Sequence, residues 1–363
     1  MNELLITILN QFQVSSNFVK FEELNSGHIN DTYLIITTQK PHYVLQKING
    51  EVFTNASELI SNKVCVSRYL QNQLSSLPLE KIQQKVLSFV TTKTGDFYHL
   101  DSDGNYWNLS VFIEDSMTYE KTPNTTIAFE AGIATGSFLA LTEKFDANQL
   151  FNLLPNFHSV KHRYQQFLKA SQSASLKRME ETILLRSFVV KRYKEMIALD
   201  RAISENELPT RLVHGDTKIS NILFSKSNRS LCLIDTDTVM KGTLAFDYGD
   251  AIRTICNTED EDEKKVHLID FNLAYFKAYT KGFLTQLNGS IAKEELKYLA
   301  ISIKIMPFIM GLRFLTDFLN DNIYYKTSYL HHNYDRANNQ FTLVRKIDEK
   351  YNEIEAFIEL FHQ

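Results

Sequence analysis

The chain has 363 residues, a length that favours roughly two domains. With 44% hydrophobic and 23% charged residues, it can bury enough apolar surface to offset its ordering entropy, which excludes an intrinsically disordered protein. Its 39 basic and 43 acidic side chains leave a net charge of −4 with no basic run, a poor match to nucleic acid or an anionic membrane surface.

Twelve Gly and six Pro are few for this length, so long uninterrupted, mainly helical elements are expected. Cys65, Cys232 and Cys256 are widely spaced, without Cys/His ligand spacing; neither a disulfide framework nor a zinc site is indicated, and a reducing cytoplasm is expected. The N-terminus lacks the positive region of a secretory signal. The best apolar run, Ala128 to Leu141, is short and holds Glu130, Gly132 and Gly136, so it reads as a core helix and no membrane span is expected.

In chain order, Phe18–Leu24, Asp31–Thr37 and Tyr43–Ile48 read as strands. A helix follows from Asn55 to about Gln73, with Leu59, Ile60, Val64, Val66 and Leu70 near helical spacing. Lys85–Thr91 reads as a strand, and Asp101–Asn105 as the turn between Phe97–Leu100 and Tyr106–Ile113. The remainder is mainly helical: Pro123–Leu141, Leu176–Ile203, Lys264–Phe283, Lys293–Leu319 and Asp335–Ile358. A β-rich island interrupts it at Leu212–Val213, Ile222–Phe224 and Leu231–Ile234. The expectation is an α+β, bilobal protein: an antiparallel sheet lobe with one helix over residues 1–115, and a larger, mostly helical lobe over residues 116–363.

The island carries the chemistry. It reads Leu212-Val213-His214-Gly215-Asp216-Thr217-Lys218-Ile219-Ser220-Asn221-Ile222, then a hairpin that returns Ile234-Asp235-Thr236-Asp237. One carboxylate leaves a strand, an amide follows five residues later, and the hairpin brings a second carboxylate to the same end. Asp216 can accept a proton from a hydroxyl, while Asn221 and Asp235 offer hard oxygen ligands to Mg²⁺. Phosphoryl transfer needs that division of labour.

His-Gly-Asp-x-x-x-x-Asn followed by Ile-Asp resembles the aminoglycoside and choline kinase branch of the protein-kinase-like superfamily. The resemblance implies Asp216 as base, Asn221 and Asp235 as metal ligands, Lys218 on the transferring phosphate, and ATP and Mg²⁺ as cofactors. Phe246-Asp247-Tyr248-Gly249-Asp250 is similar to a segment whose aspartate braces the catalytic loop, a role for Asp247 or Asp250. Asp237 is either a supporting or a metal-facing group.

The first lobe should then hold ATP. The loop Ser26–Tyr33, with Asn30 and Thr32, stands where kinases cover the phosphates. On Tyr43-Val44-Leu45-Gln46-Lys47, alternation sends Gln46 and Lys47 to opposite faces; the kinase frame points to Gln46, but charge favours Lys47. Glu58 is the candidate partner on the next helix, and the segment at Ile113 the interlobe hinge that meets adenine.

Gly27-His28-Ile29-Asn30-Asp31-Thr32-Tyr33, Val44–Asn49, His214–Lys218 and Gly311-Leu312-Arg313-Phe314-Leu315-Thr316-Asp317 together look like bacterial N-acetylhexosamine 1-kinases. That resemblance implies phosphorylation of the anomeric hydroxyl of N-acetylglucosamine or N-acetylgalactosamine, with Arg313, Tyr324 and His28 holding the sugar beside Asp216. For Arg313 the alternative is an ion pair with Asp317, four residues on. The acidic run Glu259–Glu263 reads as a solvated loop. Kinases for homoserine, choline or aminoglycosides, and a pseudokinase binding module, are the competing functions; a monomer with only small-molecule partners is expected.

Overall fold

The computed structural model describes residues 2–24 and 29–361. A helix α1 (Asn2–Leu9) precedes strands β1 (Phe18–Glu23), β2 (Asp31–Thr37) and β3 (Tyr43–Lys47). After α2 (Ala56–Gln73) and α3 (Leu79–Lys85) come β4 (Phe89–Val90), β5 (His99–Leu100) and β6 (Tyr106–Val111). These strands form one antiparallel sheet in the order β1-β2-β3-β6-β4, with β5 also on β6. Strand alternation splits its side chains between two faces. Tyr33, Ile35, Tyr43, Leu45, Trp107 and Leu109 pack on Leu5, Ile8 and Leu9 of α1. The opposite face looks toward α2, whose Leu59, Ile60 and Val64 pack with Ile48 and Phe53.

The strand expected at Lys85–Thr91 survives only as β4; Lys85 is the last residue of α3, and Val86–Ser88 link the two without regular structure. Pro78 stands at the N-cap of α3, and Leu, Glu, Lys and Gln are strong helix formers.

Beyond the sheet, β7 (Ser116–Met117) leads to α4 (Thr125–Leu141), α5 (Val160–Ser173), α6 (Leu176–Glu181), α7 (Ile183–Met196) and α8 (Ala198–Ser204). Then follow β8 (Arg211–Val213), β9 (Ile222–Ser225), β10 (Ser230–Leu233), β11 (Met240–Gly242) and α9 (Leu244–Ile255). The chain finishes with α10 (Leu273–Gln286), α11 (Lys293–Leu319), α12 (His332–Glu349) and α13 (Tyr351–Glu359). This is the expected bilobal α+β arrangement. The long helix expected over Leu176–Ile203 is broken at Thr182 and Ile197, and Lys350 divides α12 from α13. Helix α10 starts later than its sequence pattern suggested: Asn272 caps it by accepting from the Tyr275 N–H. The acidic run ahead of it is tied down, Glu259 and Asp260 by Lys121 and Glu261 by Arg253.

Helices α4 and α10 pack with their backbones in contact. A Cβ on Gly132 would lie 2.1 Å from the Tyr279 carbonyl oxygen, so only glycine fits there. Helix α11, rather than the Ala128–Leu141 stretch, is long and apolar enough to cross a membrane, but 78% of its most apolar window is buried inside the protein. It is a core helix, packed on α5, α9 and α12.

Two small ribbons position the site. Met240 pairs with Val213 across β11–β8, and Leu233 pairs with Ile222 across β10–β9. The segments 214–221 and 234–239 therefore run side by side between the same two ribbons. That is the topological reason two distant carboxylates meet.

Candidate active site

The loop after β8 is held by α9. Asp247, in the first turn of that helix, accepts the His214 N–H at 2.7 Å and the Gly215 N–H at 2.8 Å, and its own carbonyl accepts the Thr217 hydroxyl at 2.6 Å. Burial pushes its carboxyl up to about 6, partly opposed by those donors and His214. Of the two candidate braces, Asp247 is the one in contact; Asp250 instead pairs with Arg253 at 2.9 Å. The neighbouring segment is tied to the same loop, since His214 Nε2 donates to the Ile234 carbonyl at 3.0 Å and the Thr238 hydroxyl to the His214 carbonyl at 2.8 Å. Gly215 sits at φ +81°, where an added Cβ would lie 2.6 Å from the Thr238 carbonyl oxygen.

This scaffold presents Asp216, half-buried, with Asn221 Nδ2 donating to its carboxylate and its carbonyl, both at 2.9 Å. Lys218 Nζ lies 3.2 Å from the same carboxylate. Burial works against ionisation of Asp216, but Lys218, His214 and Arg253 outweigh it and hold the carboxyl below its usual range. Lys218 is correspondingly raised by Asp216. The Asn221 carbonyl accepts the Ile234 N–H at 2.8 Å, which sets Asn221 against the residue before Asp235.

Asp235 is held in the left-handed region at φ +59°, a strained conformation for a residue with a side chain. Among the described residues its carboxylate has no hydrogen-bond or ion-pair partner. Burial, then the charges of Asp237 and Asp216, push it up to about 7, against Lys218 and Lys63. A carboxylate crowded by like charges, beside an amide whose NH₂ is already engaged so that its oxygen remains available, suits a hard divalent cation. No group of three or more His, Cys, Asp or Glu gathers for a metal among the described residues. Two oxygen donors fit Mg²⁺, which completes its shell with water and phosphate oxygens.

The first lobe departs from expectation. Lys47 is on the wrong face: with Leu45 it looks toward α1, its Nζ 6.0 Å from the centroid of the Trp107 ring. Gln46 faces α2, paired across β2 with Thr32, and its Oε1 accepts from Lys63 Nζ at 2.7 Å. Lys63, on α2, also forms an ion pair with Asp237 at 2.5 Å. Glu58 makes no ion pair among the described residues; five positions before Lys63, it lies well round the helix from the Gln46 side. Asn30 Nδ2 donates to Asp237 Oδ2 while its Oδ1 accepts the Asn49 N–H at 2.8 Å. Asp237 is thus engaged by the first lobe, in a supporting position rather than a free metal-facing one. Ile113 is buried just after β6, its carbonyl accepting the Ser116 hydroxyl at 2.5 Å. His28 lies outside the described residues.

Arg313, on α11, stacks between Phe157 and Tyr325, with its guanidinium 5.0 and 5.5 Å from the two ring centroids. Its expected alternative, the pair with Asp317, does not form: Asp317 accepts the backbone N–H groups of Tyr324 and Tyr325 at 2.8 and 2.9 Å and the Asn333 amide at 2.8 Å. Tyr324 is 58% exposed and meets Tyr325 edge-on at 4.8 Å. Sequence reading missed two neighbours. Buried His158 donates from Nε2 to the Gly215 carbonyl at 3.1 Å, and burial with the Arg313 charge drives its pKa down to about 3, so it is neutral. Arg163 is lowered to about 10 by burial and Arg313. Neither arginine has a carboxylate partner among the described residues.

Residues 118–284 match the phosphotransferase enzyme family. This segment is a domain of that family. The phosphotransferase domain contains Asp216, Asn221, Asp235 and Asp247, whereas Gln46 and Lys63 precede it and Arg313 and Tyr324 follow it. A stretch of 136 residues is 25% identical to an ethanolamine kinase of Drosophila melanogaster, spanning 36% of this chain and 25% of that protein; the chain thus matches about a quarter of the length of this curated relative. Choline kinase from Cryptosporidium parvum Iowa II superposes with a TM-score of 0.61 at 15% identity, over 99% of this chain and 98% of that one. An amicoumacin kinase in complex with AMP-PNP and Ca²⁺ gives a TM-score of 0.59 at 13% identity, over 98% and 93%. At these identities the likeness establishes the protein-kinase-like fold.

Proposed function

We propose that the protein is an ATP- and Mg²⁺-dependent small-molecule kinase whose acceptor is the anomeric hydroxyl of an N-acetylhexosamine. The observation that supports the kinase reading is the loop braced by Asp247, in which Asn221 donates to the Asp216 carboxylate and the Asn221 carbonyl accepts the N–H of Ile234, the residue before Asp235. Asp216, kept ionised by Lys218, orients the acceptor hydroxyl and takes its proton late in transfer. Asn221 and Asp235 hold Mg²⁺, which when bound neutralises charge on the phosphates. Lys218 adds a cation beside the point of transfer. The known ligands of the relatives, an ethanolamine kinase and nucleotide-bound amicoumacin kinase among them, agree with ATP and a small alcohol.

The acceptor reading rests on charge. A choline, ethanolamine or aminoglycoside cation needs carboxylates or an open aromatic cage. Beside Asp216, through His158, this chain instead puts two arginines without carboxylate partners, together with Phe157, Tyr324 and Tyr325. Guanidinium donors and tyrosine rings suit a neutral, hydroxyl- and amide-bearing ligand. The test is a panel of N-acetylhexosamines, hexoses, homoserine, choline and ethanolamine with ATP and Mg²⁺, read by phosphorus NMR of the product. A hexosamine 1-phosphate is expected. Turnover of choline or ethanolamine alone overturns the sugar reading, and ADP formation with none of them overturns the kinase reading in favour of a binding module.

A further inference from the structure

On the face of the sheet that looks toward Asp235 and Asp237, the lysine in register is Lys20 on the edge strand β1, exposed and paired with Glu22. Gln46 occupies the β3 position there, and Lys47, half-buried, lies on the Trp107 side. In protein kinases a strand lysine on the phosphates is held by a glutamate on the next helix. Here the polarity is reversed, with the cation on the helix and the neutral acceptor on the strand.

Lys63 is 4% exposed, at a helix position four residues after Leu59 and three after Ile60, where packing alone would favour an aliphatic side chain. A buried ammonium is costly unless its charge and its donors are answered. Gln46 Oε1 takes one N–H at 2.7 Å and Asp237 Oδ1 another at 2.5 Å. An ammonium has three donors, which leaves one. The other Asp237 oxygen is held by Asn30, and Asn108, across β6, donates to the same Gln46 oxygen at 3.3 Å. These contacts fix the ammonium on Asp237, two residues after Asp235, where the metal-held phosphates belong.

We propose that Lys63 supplies the positive charge that binds the nucleotide phosphates, aligned by Gln46 and counter-charged by Asp237, in place of a lysine on β3. This assignment rests on the kinase reading above. A purely structural role, a latch between α2 and the Asp235 segment, is the rival it must beat.

Affinity for MgATP and for adenosine, measured by calorimetry on the full chain, separates them, because adenosine lacks the phosphates. In Lys63→Met, MgATP binding should weaken by roughly tenfold or more, the loss of one charged contact, with adenosine affinity unchanged. Adding Gln46→Lys to that variant should recover most of the loss. Since Lys63→Met alone strands a buried carboxylate, Lys63→Met/Asp237→Asn, which removes both charges, carries the same measurement if the single variant does not fold. Lys47→Met should leave the ratio of the two affinities as in the wild type. An unchanged ratio in the double variant, or equal loss of both ligands, assigns Lys63 to the latch and overturns the proposal. Folded wild-type protein that binds neither ligand overturns the kinase reading itself, and this assignment with it.

Discussion

One carboxylate, Asp247, accepts the N–H groups of two consecutive residues, His214 and Gly215, at 2.7 and 2.8 Å. Both donors are buried, so the loop that presents Asp216 keeps its shape only while Asp247 answers them. Asp247→Ala strands two N–H groups, and each orphan costs about 1–3 kcal/mol. Urea denaturation should show a loss of roughly 2–4 kcal/mol, and turnover should fall in parallel. Asp247→Asn retains one acceptor oxygen and should lie between. Wild-type stability in Asp247→Ala would remove it as the brace.

Gly215 is needed for a different reason. At φ +81° with the Thr238 carbonyl oxygen 2.6 Å from where a Cβ would stand, alanine is both strained and blocked. Gly215→Ala should displace Asp216, cutting kcat strongly while MgATP affinity changes little. A variant with wild-type kcat would show that the loop has slack which the packing denies.

Much of this site was legible because it is local. Asp216, Asn221 and Asp235 belong to one strand-loop-hairpin unit, where spacing alone brings side chains to one end. Gln46 and Lys47 could not be separated that way: alternation says they oppose each other, but which face meets the cleft depends on α1 covering the other. Lys63 did leave a signal, a lysine inside the apolar stripe of α2, readable as a charge that must be answered. Helix α5 left little, since only Val160, Phe167 and Ala170 of its residues are buried. His158 and Arg163 were invisible because their meaning comes from Gly215 and Arg313, distant in sequence.

Metal binding should depend on pH through Asp235. Burial and the charges of Asp237 and Asp216 push its carboxyl up to about 7, with Lys218 and Lys63 opposing. Below that value the protonated, neutral form dominates, and a proton competes with Mg²⁺; above it the ionised ligand is ready. Mg²⁺ affinity in the presence of ADP should therefore fall as pH drops through about 7, with proton release on binding. Asp235→Asn should weaken Mg²⁺ and flatten the profile. Calorimetry in buffers of different ionisation enthalpy counts the proton, and no release in the wild type would contradict the assignment.

Asp216→Asn keeps the shape of the side chain but cannot take a proton. Its kcat should fall by a factor on the order of 10²–10⁴, with KM for both substrates nearly unchanged, because the loss is felt mainly in the transition state. Steady-state kinetics decide it. Near-normal kcat would end its role as base.

Arg313 tests the acceptor rather than the chemistry. It is anchored between Phe157 and Tyr325 and touches neither Asp216 nor Asp235, and Asp317, its nearest candidate counter-ion along α11, is committed to the Tyr324–Tyr325 backbone. Its charge is thus left for a ligand. Arg313→Ala should raise the KM for the N-acetylhexosamine by roughly tenfold to a hundredfold, the worth of a hydrogen bond from a charged donor, while lowering kcat less and leaving KM for ATP intact. Arg313→Lys, which keeps charge but loses the planar fork and the stacking, should recover only part. Because Arg163 remains beside it, neither variant should gain activity on choline or ethanolamine. If Arg313→Ala left the sugar KM unchanged, the acceptor would sit elsewhere in the cleft; if it admitted choline, the arginine would be a gate against cations rather than a hand on the sugar.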